Sequence, residues 1–122
     1  MVHVSPDQFE AFVADALDEI PAVLGDAIEN VAVVVSEWPT SEQLGDRHGT
    51  LLGLYEGVPL TRRDPISYRG VLPDRITIFA GPLCARADDE ADLAAQVRTT
   101  VLHEVGHYFG MTDARLRELG WA

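Results

Sequence analysis

The segment HEVGHYFGMTD, residues 103–113, carries the pattern that decides the fold. Its first five residues read H-E-x-x-H, with His103 and His107 four positions apart. On a helix, this spacing places both imidazoles on one face, one turn apart. Two imidazoles in that arrangement can bind one Zn²⁺ at about 2.0–2.1 Å each. The segment therefore predicts a helix that presents a metal site.

The residues after the two histidines supply a candidate third ligand. A catalytic zinc ion takes three protein ligands and leaves its fourth position to water. Gly110 can adopt the left-handed conformation that ends a helix and reverses the chain, which lets Asp113 return to the metal. Glu118 is the alternative, but its spacing from His107 is short and it leaves Gly110 without a role. We predict that His103, His107 and Asp113 bind one zinc ion per chain.

Glu104 is the candidate catalytic residue of the segment. It borders the histidine face without being forced into the ligand set. Zinc lowers the pKa of a water towards ~7, and a neighbouring glutamate can then take a proton from that water. The resulting nucleophile attacks an amide carbonyl. The segment therefore predicts Glu104 as a general base.

The first half of the chain predicts a helix followed by a strand. Residues 5–8 read SPDQ, a capping box with proline at the first helical position, and an apolar stripe follows at three- and four-residue spacing. The stripe predicts an amphipathic helix that ends near Pro21 and faces the core. A β-branched run at 31–38 predicts a buried strand, and the polar residues 39–50 predict a loop.

Two more strands precede the metal-site helix. Residues 51–57 predict one, in which Gly53 indicates a bulge or a close backbone approach. Residues 58–73 contain three prolines and two adjacent arginines, which indicates a long exposed connection. The alternating pattern of residues 75–81 predicts the third strand.

Two helices complete the chain. Acids at 88–90 favour a helix start, and the helix that follows carries the two histidines and ends at Gly110. Within it, Gly106 costs about 1 kcal/mol relative to alanine, which indicates close approach by the backbone of another segment. A short helix is expected at 113–119. Residues 1–122 therefore form one α+β domain, with a small mixed sheet packed by the N-terminal and metal-site helices.

Composition limits the partners of the protein. The net charge of −11 argues against nucleic acid and anionic lipid, because both are polyanions. Charges interrupt every apolar run, so no membrane span is expected, and the N-terminus does not resemble a signal peptide. Cys84 is the single cysteine, which excludes an internal disulfide. It is either a buried apolar thiol or a thiolate that blocks the zinc. A cytoplasmic location is expected.

The segment at 103–113 resembles the H-E-x-x-H-x-x-G-x-x-[H/D] signature of metzincin metallopeptidases. The chain as a whole is similar to small bacterial zincin-like metallopeptidase domains, which implies a minimal zincin-like fold. The resemblance implies that His103, His107 and Asp113 bind zinc and that Glu104 is the general base. Metzincins also carry a methionine-bearing turn after the third ligand, and Met111, inside the motif, does not match it.

These observations predict a zinc metallopeptidase that hydrolyses peptide bonds in peptide or protein substrates. The alternative is a non-catalytic zinc-dependent binding or structural module. A closed structural site takes a fourth protein ligand. Apart from Glu118, Cys84 and His48 the chain offers no good candidate, which favours an open, catalytic position. In zincins an edge strand beside the metal pairs with the substrate. The resemblance and the possible bulge at Gly53 favour Leu51–Glu56 for this role, with the third strand in the sheet interior.

Overall fold

A computed structural model describes residues 1–20, 31–46, 49–57 and 74–121. In these ranges the chain forms five helices and a three-stranded mixed sheet, which confirms the α+β class. The elements in chain order are α1 (Pro6–Asp18), β1 (Val31–Ser36), α2 (Ser41–Leu44), β2 (Gly53–Glu56), β3 (Asp74–Phe79), α3 (Ala80–Arg86), α4 (Glu90–Tyr108) and α5 (Asp113–Leu119). The predicted connection at 58–73 lies outside the described residues, whereas α1 ends at Asp18, three residues before Pro21, as predicted.

The sheet has β3 at its centre. β1 lies parallel to β3 on one side, and β2 lies antiparallel to it on the other. Among the described residues, β3 therefore lies in the interior of the sheet and β2 at one edge, as predicted. The register places Gly53 opposite Ile78 and Tyr55 opposite Ile76, so these residues share one face of the sheet.

The core lies between this face of the sheet and helix α4. Ile76 and Ile78 are buried on β3, and they belong to one apolar cluster with the buried side chains of α1 and α4. Helix α1 packs against α4, and α4 packs against β2 and β3. The members that α1 and α4 contribute are Phe9, Val13, Ala16, Leu93, Val97, Val101 and Val105. The apolar stripe predicted for the N-terminal helix does face the core.

Capping residues fix the ends of the helices. The Ser5 hydroxyl accepts a hydrogen bond from the Gln8 backbone N–H at 3.1 Å, which confirms the predicted start of α1. Helix α4 is capped by Asp89, whose side chain accepts from the Asp92 N–H at 2.7 Å. Its other end is followed by Gly110 in the left-handed conformation, with φ of 76°. The predicted chain reversal at Gly110 is thereby confirmed.

Two helices were not predicted. The third strand ends at Phe79 rather than at residue 81, and α3 occupies Ala80–Arg86. Pro82 is tolerated there because the first turn of a helix has no intrahelical partner for its N–H groups. The supposed loop at 39–50 contains α2, which begins with a capping box between Thr40 and Gln43.

The prediction that the first strand is buried is wrong. Burial alternates along β1, where Ala32 and Val34 are exposed, and 38% of Val34 is accessible. The reason is that successive side chains of a strand point to opposite faces: Val31, Val33 and Val35 pack against the apolar core, whereas Ala32 and Val34 lie on the other face. Among the helices of these ranges, none combines the length and apolar character needed to cross a membrane.

Candidate metal centre

The last two turns of α4 bring three ligand-type side chains together. Atoms of His103, Glu104 and His107 that can bind a metal all lie within 4.8 Å of one another. The two imidazole rings are 4.5 Å apart between centroids and meet edge to face. Both histidines are half-buried, whereas Glu104 is only 6% exposed. The helical spacing of the sequence thus produces a cluster that is open on the histidine side.

Asp113 approaches this cluster from the next helix. Its Oδ1 atom lies 3.8 Å from Nε2 of His107, and its side chain is 72% exposed. The turn between the helices is held by hydrogen bonds from the Gly110 N–H to the His107 carbonyl at 2.9 Å and from the Met111 N–H to the Gly106 carbonyl at 3.0 Å. The rival residue, Glu118, instead accepts a hydrogen bond from Arg115 at 3.0 Å.

Gly106 determines where α5 lies. A Cβ atom at this position would overlap the side chain of Leu116, which is completely buried. The close approach predicted at Gly106 is therefore real, but the side chain of Leu116 makes it, rather than a backbone. The Trp121 N–H bonds the Leu116 carbonyl at 2.8 Å and closes the end of α5. Leu116 thus anchors the helix that begins with Asp113.

Within the cluster, Glu104 forms a hydrogen bond with His107 and changes the pKa of that histidine. Oε1 of Glu104 lies 3.2 Å from Nδ1 of His107. This hydrogen bond raises the pKa of His107, burial partly opposes the rise, and the negative charges of Glu104 and Asp113 add to it. The two ring nitrogens therefore face different carboxylates, with Nδ1 towards Glu104 and Nε2 towards Asp113.

The edge strand β2 forms one wall of the centre. An ideal Cβ at Gly53 would lie 2.8 Å from Cγ2 of Thr100 and 3.1 Å from Cγ of Glu104. The close approach predicted at Gly53 is confirmed, whereas the alternative of a bulge is wrong, because the pairing with β3 is regular. The Thr100 hydroxyl donates to the Gln96 carbonyl at 2.8 Å, which turns the methyl group of Thr100 towards the strand.

A cavity of about 520 Å³ opens beside His103 and Glu104. It is bounded by the start of β2 and by the α4 surface from Ala95 to Glu104, and Arg86 also lines it.

Cys84 lines a different cavity, next to the N-terminal residues, which does not support a zinc-blocking role. Burial, with the nearby charge of Glu37, raises the pKa of the Cys84 thiol, as expected for an inert cysteine.

The tyrosines near the centre are already engaged. Tyr108 is completely buried and packs edge to face against Tyr55 at 6.1 Å between centroids, so it is a packing residue. The Tyr55 hydroxyl donates to Asp74. Tyr68, the third tyrosine of the chain, lies outside the described residues.

The donors present suit zinc. Two imidazoles and nearby carboxylates are the ligand types of a zinc site with an open position. A family model described as zincin-like metallopeptidase matches residues 28–121, which include β1 to α5 and the whole cluster. The chain belongs to the zincin-like metallopeptidase family. A comparison with curated proteins finds no match.

Membership of this family accounts for the arrangement of sheet and helices around the cluster. It assigns the chain to metallopeptidases and points to zinc-dependent hydrolysis of peptides. Three residues that frame the centre, namely Thr100, Leu116 and Arg86, were not singled out from the sequence. The sequence pointed to Thr100 and Leu116 only indirectly, through Gly53 and Gly106. Each glycine leaves room that the neighbouring side chain occupies.

Proposed function

We propose that this protein is a zinc-dependent peptidase in which His103, His107 and Asp113 hold one zinc ion and Glu104 is the general base. The proposal rests on the position of the His107 ring, whose two nitrogens face two different carboxylates. Its Nδ1 faces Glu104 at 3.2 Å, and its Nε2 faces Asp113 at 3.8 Å.

The two ring nitrogens of His107 suggest different roles for the two carboxylates. A histidine that binds a metal uses one nitrogen for the ion and donates its other N–H to a carboxylate, carbonyl or water. Glu104 lies on the Nδ1 side and suits the second role. Asp113 lies beside Nε2, which is where a ligand sharing the ion with His107 belongs. Glu118 is less suited, because it is occupied by Arg115.

One carboxylate oxygen of Glu104 remains available to accept a proton in the reaction. Its Oε1 is directed to His107, and in the described part of the chain no hydrogen bond engages Oε2. Zinc, when bound, supplies the Lewis acidity that activates a water and polarises the substrate carbonyl. Glu104 Oε2 takes the proton from the attacking water and later delivers it to the leaving amine. The low exposure of Glu104 keeps bulk water from competing for that proton.

The substrate lies along β2 in this proposal. In the described part of the chain β2 pairs only with β3, so one row of its backbone groups is available to an extended peptide. Gly53 brings this strand directly against Thr100 and Glu104. A peptide paired with β2 therefore passes close to the general base. This supports the expectation that Leu51–Glu56 is the substrate-pairing edge.

The test combines metal analysis with an unbiased peptide library. We expect about one zinc per chain in the wild type, with cleavage detected by mass spectrometry. Glu104→Gln is expected to keep its zinc and its melting temperature and to lose hydrolysis, because an amide cannot accept the proton. His103→Ala and His107→Ala are expected to lose stoichiometric zinc, whereas His3→Ala, a change at an exposed residue, keeps it.

The outcomes separate the two candidate functions. A zinc-loaded wild type that cleaves no peptide would favour the non-catalytic zinc-dependent module. Equal hydrolysis by the wild type and Glu104→Gln would remove Glu104 as the base. Full zinc in both histidine variants at neutral pH would contradict the ligand assignment.

A further inference from the structure

An arginine lies in the wall of the cavity beside the metal centre. Arg86 is the last residue of α3, and it lines the cavity together with His103 and Glu104. Among the described residues of the lining, these three are the ionisable groups, and Arg86 is the permanent cation. The chain has 20 acidic against 9 basic residues, so a cation at this place is opposite in sign to the protein as a whole.

Arg86 is not committed to a structural ion pair within the described ranges. Arg75, Arg98 and Arg115 each contact a carboxylate, at 3.1, 2.7 and 3.0 Å. No carboxylate of the described residues lies within ion-pair distance of Arg86, and its side chain is exposed. In a chain with so many acids, this guanidinium is available to an external anion.

Of the other polar side chains that line the cavity in the described part of the chain, Gln96 and Thr100 are engaged in hydrogen bonds, and Thr99 carries no charge. The Gln96 side-chain amide donates to Asp92 at 2.9 Å. The Thr100 hydroxyl donates to the Gln96 carbonyl, so its methyl group contributes to the wall. Leu52 adds an aliphatic side chain from the strand side. Arg86 is therefore the group that can give this cavity a charge preference.

We propose that the cavity binds a carboxylate of the substrate through Arg86, and this rests on the proposed peptidase function. A guanidinium offers two parallel N–H donors that match the two oxygens of a carboxylate. The cavity follows α4 from His103 back to Gln96, two helix turns or roughly 10 Å. An extended peptide spans that length with about three residues. The carboxylate therefore belongs to a residue within about three positions of the cleaved bond.

Two sources supply such a carboxylate, an aspartate or glutamate side chain and a free peptide C-terminus. Three matched sets of peptides distinguish them. One set carries glutamate at successive positions and an amidated C-terminus, one is neutral with a free C-terminus, and one is neutral and amidated. Binding is measured by fluorescence anisotropy on zinc-loaded protein with Glu104→Gln as background, so that the readout does not require turnover. Cleavage is measured separately as kcat/KM on the unmodified background.

Arg86→Gln is compared with Arg117→Gln, which removes the same charge from an exposed site outside the cavity. We expect Arg86→Gln to weaken binding of the preferred carboxylate peptides by about tenfold or more, since hydrogen bonds between charged groups are the strong ones. Binding of the neutral amidated set stays within about twofold, and Arg117→Gln leaves all sets unchanged. Arg86→Glu shifts the preference towards peptides that carry lysine or arginine.

The results that would overturn this inference are distinct from those that would overturn the peptidase function. Unchanged affinity in Arg86→Gln, an equal loss for the neutral set, or no binding of any carboxylate peptide each contradicts the role of Arg86. Binding that shows the carboxylate preference, without any cleavage by the wild type, leaves the inference standing and removes the peptidase function. Melting curves of all three arginine variants show whether each is folded.

Discussion

Nε2 of His107 lies 3.8 Å from Oδ1 of Asp113, although the two residues belong to different helices. Two features produce this distance. Gly110 reverses the chain in the left-handed conformation, and Leu116 fits against Gly106 so that α5 lies on α4. The proposed third ligand thus depends on helix packing, whereas the two histidines depend on the periodicity of one helix.

The first prediction concerns the third ligand. Asp113→Asn is expected to lower zinc affinity by more than ~100-fold, because changes to groups that merely support a ligand already cost ~10–100-fold. Glu118→Gln breaks a surface ion pair with Arg115 and is expected to leave zinc affinity unchanged. The measurement is competition against a zinc chelator of known affinity. A larger loss in Glu118→Gln than in Asp113→Asn would reverse the assignment.

The second prediction concerns the packing of α5. Gly106→Ala gains about 1 kcal/mol of helix propensity. It also forces an atom into the space of the buried Leu116 side chain, and overpacking of this kind costs ~1–3 kcal/mol. The cost of the clash is expected to exceed the gain in helix propensity. We therefore expect α5 to shift, zinc affinity to fall and the melting temperature to decrease.

The matched control for this change is the pair Gly106→Ala with Leu116→Ala. The second substitution removes the atoms that the new methyl group would meet, at the expense of a buried leucine. Zinc affinity is expected to recover in the double variant more than stability does. If Gly106→Ala alone binds zinc like the wild type and melts higher, the contact does not position Asp113.

Sequence patterns predicted the parts of the fold that local rules determine. The start of α1 follows from Ser5 as a cap, and the turn after α4 follows from Gly110. The clustering of His103 with His107 follows from the helical period, and the family match is consistent with the fold expected from the whole chain. The cap of α1, the turn at Gly110 and the histidine pair each depend on residues within a few positions of one another.

Features that depend on distant contacts were not predictable in the same way. Helix α3 starts at Ala80 without a side-chain cap from Phe79, and Gly81 and Pro82 have little helical propensity of their own. The apolar run of β1 indicated a strand, but it carried no information on which of its faces the rest of the chain covers. Gly106 indicated close approach, but not that Leu116 makes it. The position of Arg86 in the cavity follows from where α3 lies.

The last prediction concerns Gly53 and the placement of the general base. Gly53→Ala puts a methyl group 2.8 Å from Cγ2 of Thr100, which is too short to persist, and 3.1 Å from Cγ of Glu104, which is tighter than an ordinary contact. We expect the edge strand to move away from α4, at a cost of about 1–3 kcal/mol in the free energy of unfolding. Hydrolysis is expected to fall through kcat and KM together, because the base and the substrate-pairing strand both shift. Zinc binding is expected to change little, since the atoms nearest the new methyl group belong to Thr100, Glu104 and Thr77 rather than to a histidine.

Thr100→Ser provides the test of that mechanism. Serine keeps the hydroxyl that donates to Gln96 and lacks the Cγ2 atom that the new methyl group would meet. The double variant, Gly53→Ala with Thr100→Ser, is therefore expected to regain part of the lost stability and activity, although the contact with Glu104 remains. The measurements are urea unfolding, zinc content and peptide hydrolysis for the wild type, both single variants and the double variant. Additive losses in the double variant would show that the Thr100 contact is not what constrains this strand.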